Sequence, residues 1–166
     1  VQSHFLKLNH EEFPQVRDVI ESLRAFLLQH RDIQNAPQIK ADAGLILKEL
    51  TGESLTLVAV GVAARRLIES LLNLRMQQLE ISLQLDGSNR DLFQKLNRMR
   101  YRINSWSLSA LHTVRSFGNW MAHCEDEQLA EDDDKIPTSQ VKINDMLSML
   151  LALQRVVDDY PWRSQR

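Results

Sequence analysis

Four side chains that can do chemistry share one face of a predicted helix over residues 108–124. At about 100° per residue, they fall on one side of the helix. They are His112, Arg115, Asn119 and His123. Val114, Phe117 and Met121 occupy the opposite, apolar face. Because histidine moves protons, arginine binds anions and asparagine forms directional hydrogen bonds, the polar face predicts a functional site or a helix fixed to its neighbours by buried hydrogen bonds.

Other catalytic patterns are missing from the sequence. It has no glycine-rich phosphate loop, no nucleophile elbow and no HExxH motif. Cys124 follows His123 directly, and adjacent helix positions diverge by about 100°, so a Cys–His nucleophile is not expected. Asn119 and His123 have the spacing of a metal-binding pair, but no carboxylate on the same helix completes a site. We therefore expect no metal and no cofactor.

The composition is that of a soluble globular protein rich in helix. The 166 residues are 43% hydrophobic and 25% charged, with few glycines and prolines and a net charge of −2. A single cysteine excludes an internal disulfide and agrees with a reducing, cytoplasmic compartment. No apolar run is long enough to span a membrane, so no membrane partner is expected. Because the chain begins with Val1, we expect a piece of a longer protein.

Hydrophobic spacing predicts an all-α fold, a single bundle of about six helices with no strand. The first helix begins at Asn9, the third is capped by Ser54, and the last ends at Pro161. The second, third and fourth helices are predicted over 37–51, 55–83 and 89–103. Residues 1–52 would form an N-terminal helical hairpin that packs on a core of residues 53–166, giving one compact domain overall.

Charged side chains suggest two further features. Arg65 and Glu69 are four residues apart and can pair on one helix, either at the surface or beside the polar face of residues 108–124. The fourth helix is strongly basic, which predicts a solvated face or a phosphate-binding surface that contacts nucleic acid. Its basic residues are Arg90, Lys95, Arg98, Arg100 and Arg102. The acidic stretch 125–137 predicts a solvated loop.

The start of the third helix and the whole last helix are more apolar than one bundle face requires. We therefore expect a two-fold homodimer, or a protein partner that docks on these apolar faces.

Two stretches resemble the HEPN superfamily of all-α domains. ARRLIESLL at 64–72 and VRSFGNWMAH at 114–123 are similar to an uncharacterised bacterial branch with a Leu-Arg-x-x-Gly-Asn-x-x-Ala-His motif. The resemblance covers about residues 53–160 and implies a core of four or five helices that commonly dimerises. Many members are metal-independent ribonucleases of toxin–antitoxin and phage-defence systems. Their signature is an arginine, four to six residues, then a histidine, at the dimer interface.

The sequence departs from that signature. Seven residues separate Arg115 from His123, and Gly118 stands where the nuclease branches place arginine. We therefore interpret the chain first as a non-catalytic interaction module of a defence or regulatory protein. In that interpretation Asn119 and His123 fix the helix, and Arg115 pairs with Glu69 or another facing acid. The alternatives are a ribonuclease using Arg115, His123 and Asn119 at a dimer interface, and a domain that binds RNA through the basic helix without cleaving it.

Overall fold

The computed structural model describes residues 5–7, 10–81, 91–124 and 143–164, with only the backbone at Phe5, Leu6, Asp91, His123 and Cys124. This part of the chain contains seven α-helices and two short strands. In chain order they are β1 Phe5–Lys7, α1 Gln15–Gln29, α2 Arg31–Gln34, α3 Pro37–Thr51, β2 Ser54–Thr56, α4 Leu57–Gln78, α5 Asp91–Met99, α6 Ser105–Cys124 and α7 Ile143–Asp159. The predicted all-α bundle is confirmed.

The strands were not predicted. β1 and β2 pair antiparallel, with Leu6 opposite Leu55, and β2 leads directly into α4. Ser54 is therefore a strand residue, and Thr56 occupies the N-cap position of α4. The backbone N–H of Thr56 donates a hydrogen bond to Glu49 Oε2 at 2.9 Å. A three-residue strand is too short for an alternating pattern to show in the sequence.

Several helix boundaries also differ from the prediction. α4 ends at Gln78 rather than at residue 83, and α6 begins at Ser105 rather than at residue 108. α1 begins at Gln15 rather than at Asn9, with Pro14 at its N-cap. A proline disfavours helical backbone in the residue before it, so the helix starts only after Pro14. α5 ends at Met99, and Ile103 forms an isolated antiparallel bridge with Arg163. The predicted end of the last helix is confirmed, because α7 stops at Asp159, just before Pro161.

α4 is the central helix of the bundle. It packs against α3 on one side and α6 on the other, while α6 packs on α7 and α7 on α1. Eleven of its residues are buried, including Val58, Val60 and Ala64 in its first turns. The apolar start that suggested a dimer is therefore covered within one chain. Among the described residues, no helix has both the length and the apolarity needed to cross a membrane.

The short helix α2, which the sequence did not predict, connects distant parts of the chain. Asp32 Oδ2 accepts hydrogen bonds from Gln78 Nε2 of α4 at 2.8 Å and from the Tyr160 hydroxyl at 2.9 Å. Beyond α7, the indole of Trp162 is fully buried and donates to the Val156 carbonyl at 2.8 Å. These contacts hold the chain after α7 against the bundle.

Candidate functional site: an arginine pair between α4 and α6

The apolar face of α6 lies where the helical period predicts it. Val114 and Met121 are fully buried, and Phe117 is 7% exposed with its ring in an edge-to-face contact with that of Trp120. The opposite side of the helix carries the half-buried residues His112, Arg115 and Asn119. The core face is therefore confirmed, and it fixes the direction in which the polar residues point.

Two glycines meet where α4 and α6 cross. A Cβ added at Gly118 would lie 2.8 Å from the Gly61 carbonyl oxygen and 2.5 Å from Arg65 Cβ. A Cβ added at Gly61 would lie 2.5 Å from Met121 Cγ. Real Cβ atoms essentially never come this close to other atoms. Gly61 and Gly118 therefore allow a backbone approach that any other residue would prevent.

The crossing brings Arg65 of α4 beside Arg115 of α6. Arg65 Cβ and Cδ pass over Gly118, in the space that a side chain at that position would need. Burial, and then the positive charge of Arg65, lowers the pKa of Arg115 below its usual value. Both Nε atoms are buried and form no hydrogen bond within the described part of the chain. We call Arg65 and Arg115 the arginine pair.

Arg115 is held by an aromatic ring rather than by an acid. Its guanidinium carbon lies 5.2 Å from the centroid of the Phe93 ring on α5, a cation–π contact. Arg115 Nη2 donates to Ser116 Oγ at 3.5 Å. The ring is 42% exposed, so this end of the arginine pair is near the surface.

The predicted partners of Glu69 are wrong. Glu69 Oε1 lies 3.1 Å from Lys95 Nζ of α5, rather than pairing with Arg65 or Arg115. The Lys95 side chain is 10% exposed, so this basic residue belongs to an internal ion pair and not to a solvated face. Neither arginine of the pair forms an ion pair with a carboxylate among the described residues.

His112 lies next to Arg115, on the side that faces α5 and α7. Its ring centroid is 6.0 Å from that of Phe93. Burial, and then the charge of Arg115, lowers the pKa of His112, which favours the neutral imidazole. The ring lines a groove between α6 and α7 together with Thr113, Ser116 and Asp145.

Asn119 and His123 are the remaining predicted site residues on α6. Asn119 is half-buried, and its side chain forms no hydrogen bond with the described residues. The His123 side chain lies outside the described residues, so its predicted role stays a prediction. Within the described ranges, no group of three histidine, cysteine or acidic side chains could hold a metal ion.

The basic residues of the predicted fourth helix are not one surface. Arg90 lies outside the described residues, and Lys95 is paired with Glu69. Arg98, Arg100 and Arg102 are exposed, and the Arg100 guanidinium stacks 4.6 Å from the centroid of the Tyr101 ring. Next to them, Tyr101 is 69% exposed and Trp106 is 73% exposed. We call Tyr101 and Trp106 the aromatic corner. Sequence periodicity did not reveal it, because it lies where α5 ends and α6 begins.

Comparison with known proteins gives no relative for this chain: no family model, no curated protein and no solved structure matches it.

Proposed function

We propose that the chain is a HEPN-like helical interaction module without catalytic activity. The observation that carries this proposal is the position of Gly118 in the crossing of α4 and α6. The nuclease branches that the chain resembles place arginine at this position, and here the first atom of any side chain would collide with Arg65 and with the Gly61 carbonyl. The position that serves catalysis in those branches serves helix packing in this chain.

Arg115 is a poor replacement for the missing arginine within one subunit. It precedes His123 by eight residues, which is about 12 Å along the helix axis. Its guanidinium lies over Phe93 on α5 and beside Arg65. For Arg115 and His123 to act on one phosphate, a second subunit would have to supply one of them.

The aromatic corner supports an interaction role. Tryptophan and tyrosine contribute strongly to the stability of protein interfaces, because they bury a large rigid surface at low entropic cost. Trp106 is 73% exposed, more than Phe93 or Leu151. Since the apolar start of α4 is covered within the chain, this corner is the better candidate for the contact with a second copy. We propose a homodimer through Trp106 and Tyr101, in a defence or regulatory protein.

One observation favours the ribonuclease as a second candidate. The aliphatic part of the Arg65 side chain passes over Gly118, so α4 supplies an arginine at the position where the signature arginine is missing. In that case Arg65 and Arg115 of one subunit would face His123 of a second subunit across one cleft, with Asn119 beside them. The RNA 2′-hydroxyl would attack the adjacent phosphorus and displace the 5′-oxygen, which leaves a 2′,3′-cyclic phosphate. Histidine would move the proton from the hydroxyl to the leaving oxygen, and the arginines would stabilise the phosphate.

The test combines an assembly measurement with a cleavage assay. We expect sedimentation at micromolar concentration to give a dimer that Trp106→Ala dissociates. Leu28→Ala is the matched control, because Leu28 is 76% exposed on α1 and does not belong to the aromatic corner, so it should leave the dimer intact. We expect single-stranded RNA to stay uncleaved in EDTA. A monomeric parent chain would refute the dimer. RNA cleavage that is lost in His123→Ala at an unchanged melting temperature would establish the ribonuclease instead.

A further inference from the structure

Two like charges lie near each other in the arginine pair, and no described residue supplies a carboxylate to balance them. Arg65 and Arg115 are both half-buried, and no carboxylate of the described residues pairs with either. The nearest acid in sequence, Glu69, is held by Lys95 at 3.1 Å. Asp42 of α3, which also faces α4, is held by Arg66 at 3.2 Å. These two acids therefore pair with cations other than the arginine pair.

With the described residues alone, this arrangement carries a cost in free energy. Each buried Nε–H gives up a hydrogen bond to water and gains none from the described residues. The two positive charges repel each other in a medium less polar than water. Arginines in such a position stabilise a fold only when an anion accepts their hydrogen bonds. The pair therefore has the properties of a binding site in its unliganded state.

We propose that Arg65 and Arg115 together bind a phosphate group that carries two negative charges. A dianion balances both guanidinium groups, whereas a carboxylate would balance only one. Guanidinium groups also match the oxygen geometry of phosphate, because each offers parallel N–H donors. The phosphate could be free or a monoester on a nucleotide, and these two sources share this chemistry.

The surroundings of the pair fit this ligand. Phe93 stacks on the Arg115 guanidinium and limits the directions in which it can donate. The Ser116 hydroxyl lies 3.5 Å from Arg115 Nη2 and offers a further donor to a phosphate oxygen. His112 adds no competing charge at neutral pH, since its lowered pKa favours the neutral ring. The lack of a Cβ at Gly118 lets the stem of Arg65 reach across α6.

The site lies within one chain, so it does not depend on the proposed dimer or on any cleavage chemistry. It would give the interaction module a ligand to sense, because phosphate binding stabilises the contact between α4, α5 and α6.

The test follows the melting temperature of the chain with added inorganic phosphate and, separately, with adenosine 5′-monophosphate. It is done at about pH 7.5, above the second pKa of a phosphate monoester at about 6, with potassium chloride keeping the ionic strength constant. We expect a saturable rise with phosphate. Tighter binding of the nucleotide than of phosphate would identify a nucleotide monoester as the ligand, and equal or weaker binding would identify free phosphate.

Arg115→Met and Arg65→Met keep the apolar stem and remove the charge. We expect each variant to melt higher than the parent in chloride alone and to bind phosphate about tenfold or more weakly. Arg24→Met on the exposed face of α1 is the matched control and should change neither property. A merely structural arginine would give the opposite stability change, with a lower melting temperature in chloride.

Direct binding is checked by the ³¹P NMR linewidth of inorganic phosphate, and it covers the case in which a methionine variant fails to fold. Arg115→Lys keeps the charge but loses the parallel donors, so it should bind with an affinity between those of the parent and Arg115→Met. The proposal would be overturned if phosphate raised the melting temperature no more than chloride does and the ³¹P signal of phosphate were not broadened by the protein. A full phosphate response in both methionine variants would also overturn it.

Discussion

Gly61 and Gly118 face each other where α4 crosses α6, and the absence of both side chains sets how closely the two helices approach. A Cβ at position 118 would lie 2.8 Å from the carbonyl oxygen of Gly61, a backbone atom that cannot move without shifting α4. This contact places the Arg65 stem over α6 and therefore creates the arginine pair.

Gly118→Ala should destabilise the fold, although alanine normally favours a helix. We expect a loss of about 1–3 kcal/mol, the usual cost of overpacking a close contact. Gly44→Ala is the matched control, because Gly44 is an exposed position in α3 where an added Cβ meets no atom within 4 Å. That control should stabilise the protein by about 0.5–1 kcal/mol. Urea unfolding of the two variants gives both changes in the free energy of unfolding. A Gly118→Ala variant at least as stable as the parent would show that the crossing tolerates a side chain.

Phe117→Ala should be among the more damaging changes in α6. The ring is 7% exposed and packs at the crossing beside Gly61, so its removal should cost about 3–5 kcal/mol. Leu28→Ala removes an apolar side chain that is 76% exposed, and should stay within about 0.5 kcal/mol of the parent. Thermal unfolding followed by circular dichroism compares the two. A Phe117→Ala melting temperature close to that of the parent would contradict the assigned core face.

Removing only the Glu69 charge from the Glu69–Lys95 ion pair should cost more stability than removing both charges. Glu69→Gln leaves the Lys95 ammonium with 10% side-chain exposure and no carboxylate partner, so it should cost about 1–3 kcal/mol. Lys95→Met in the same chain removes the stranded charge and should recover much of that loss. A double-mutant cycle in urea measures the coupling. Purely additive effects would mean that the pair is solvated.

His112 should make the fold less stable as the solution becomes acidic. Its folded pKa is lowered by burial and then by Arg115, whereas the unfolded chain has a pKa of about 6.5. The unfolded chain therefore binds the proton first, and stability falls as the pH drops from about 6.5 toward the folded pKa. The groove around His112 also holds Asp145, which a comparison of pH profiles must take into account.

Arg115→Met should raise the pKa of His112, because it removes the nearby positive charge. NMR titration of the imidazole measures this directly, and His112→Gln should flatten the stability profile between about pH 5 and 7. An unchanged His112 pKa in Arg115→Met would show that the two side chains are not coupled.

The amino-acid sequence by itself determined the helices and the buried face of α6. Val114, Phe117 and Met121 repeat with the period of a helix, and that period is a local property that needs no knowledge of the neighbouring elements. The same local logic placed His112, Arg115 and Asn119 on the opposite face. Helical periodicity did not reveal β1 and β2, because these strands are too short to show a period. It also did not reveal the short helix α2, which is fixed by contacts of Asp32 with α4 and Tyr160.

Only the tertiary structure decided which charged groups meet. Glu69 is four residues from Arg65, yet it pairs with Lys95, because α5 brings an ammonium group closer than the helix's own guanidinium. In the sequence Gly118 appeared only as a missing arginine. In the fold it makes the room through which Arg65 reaches Arg115. Contacts between residues about fifty positions apart depend on how closely helices pack, and the period of a single helix holds no information about that distance.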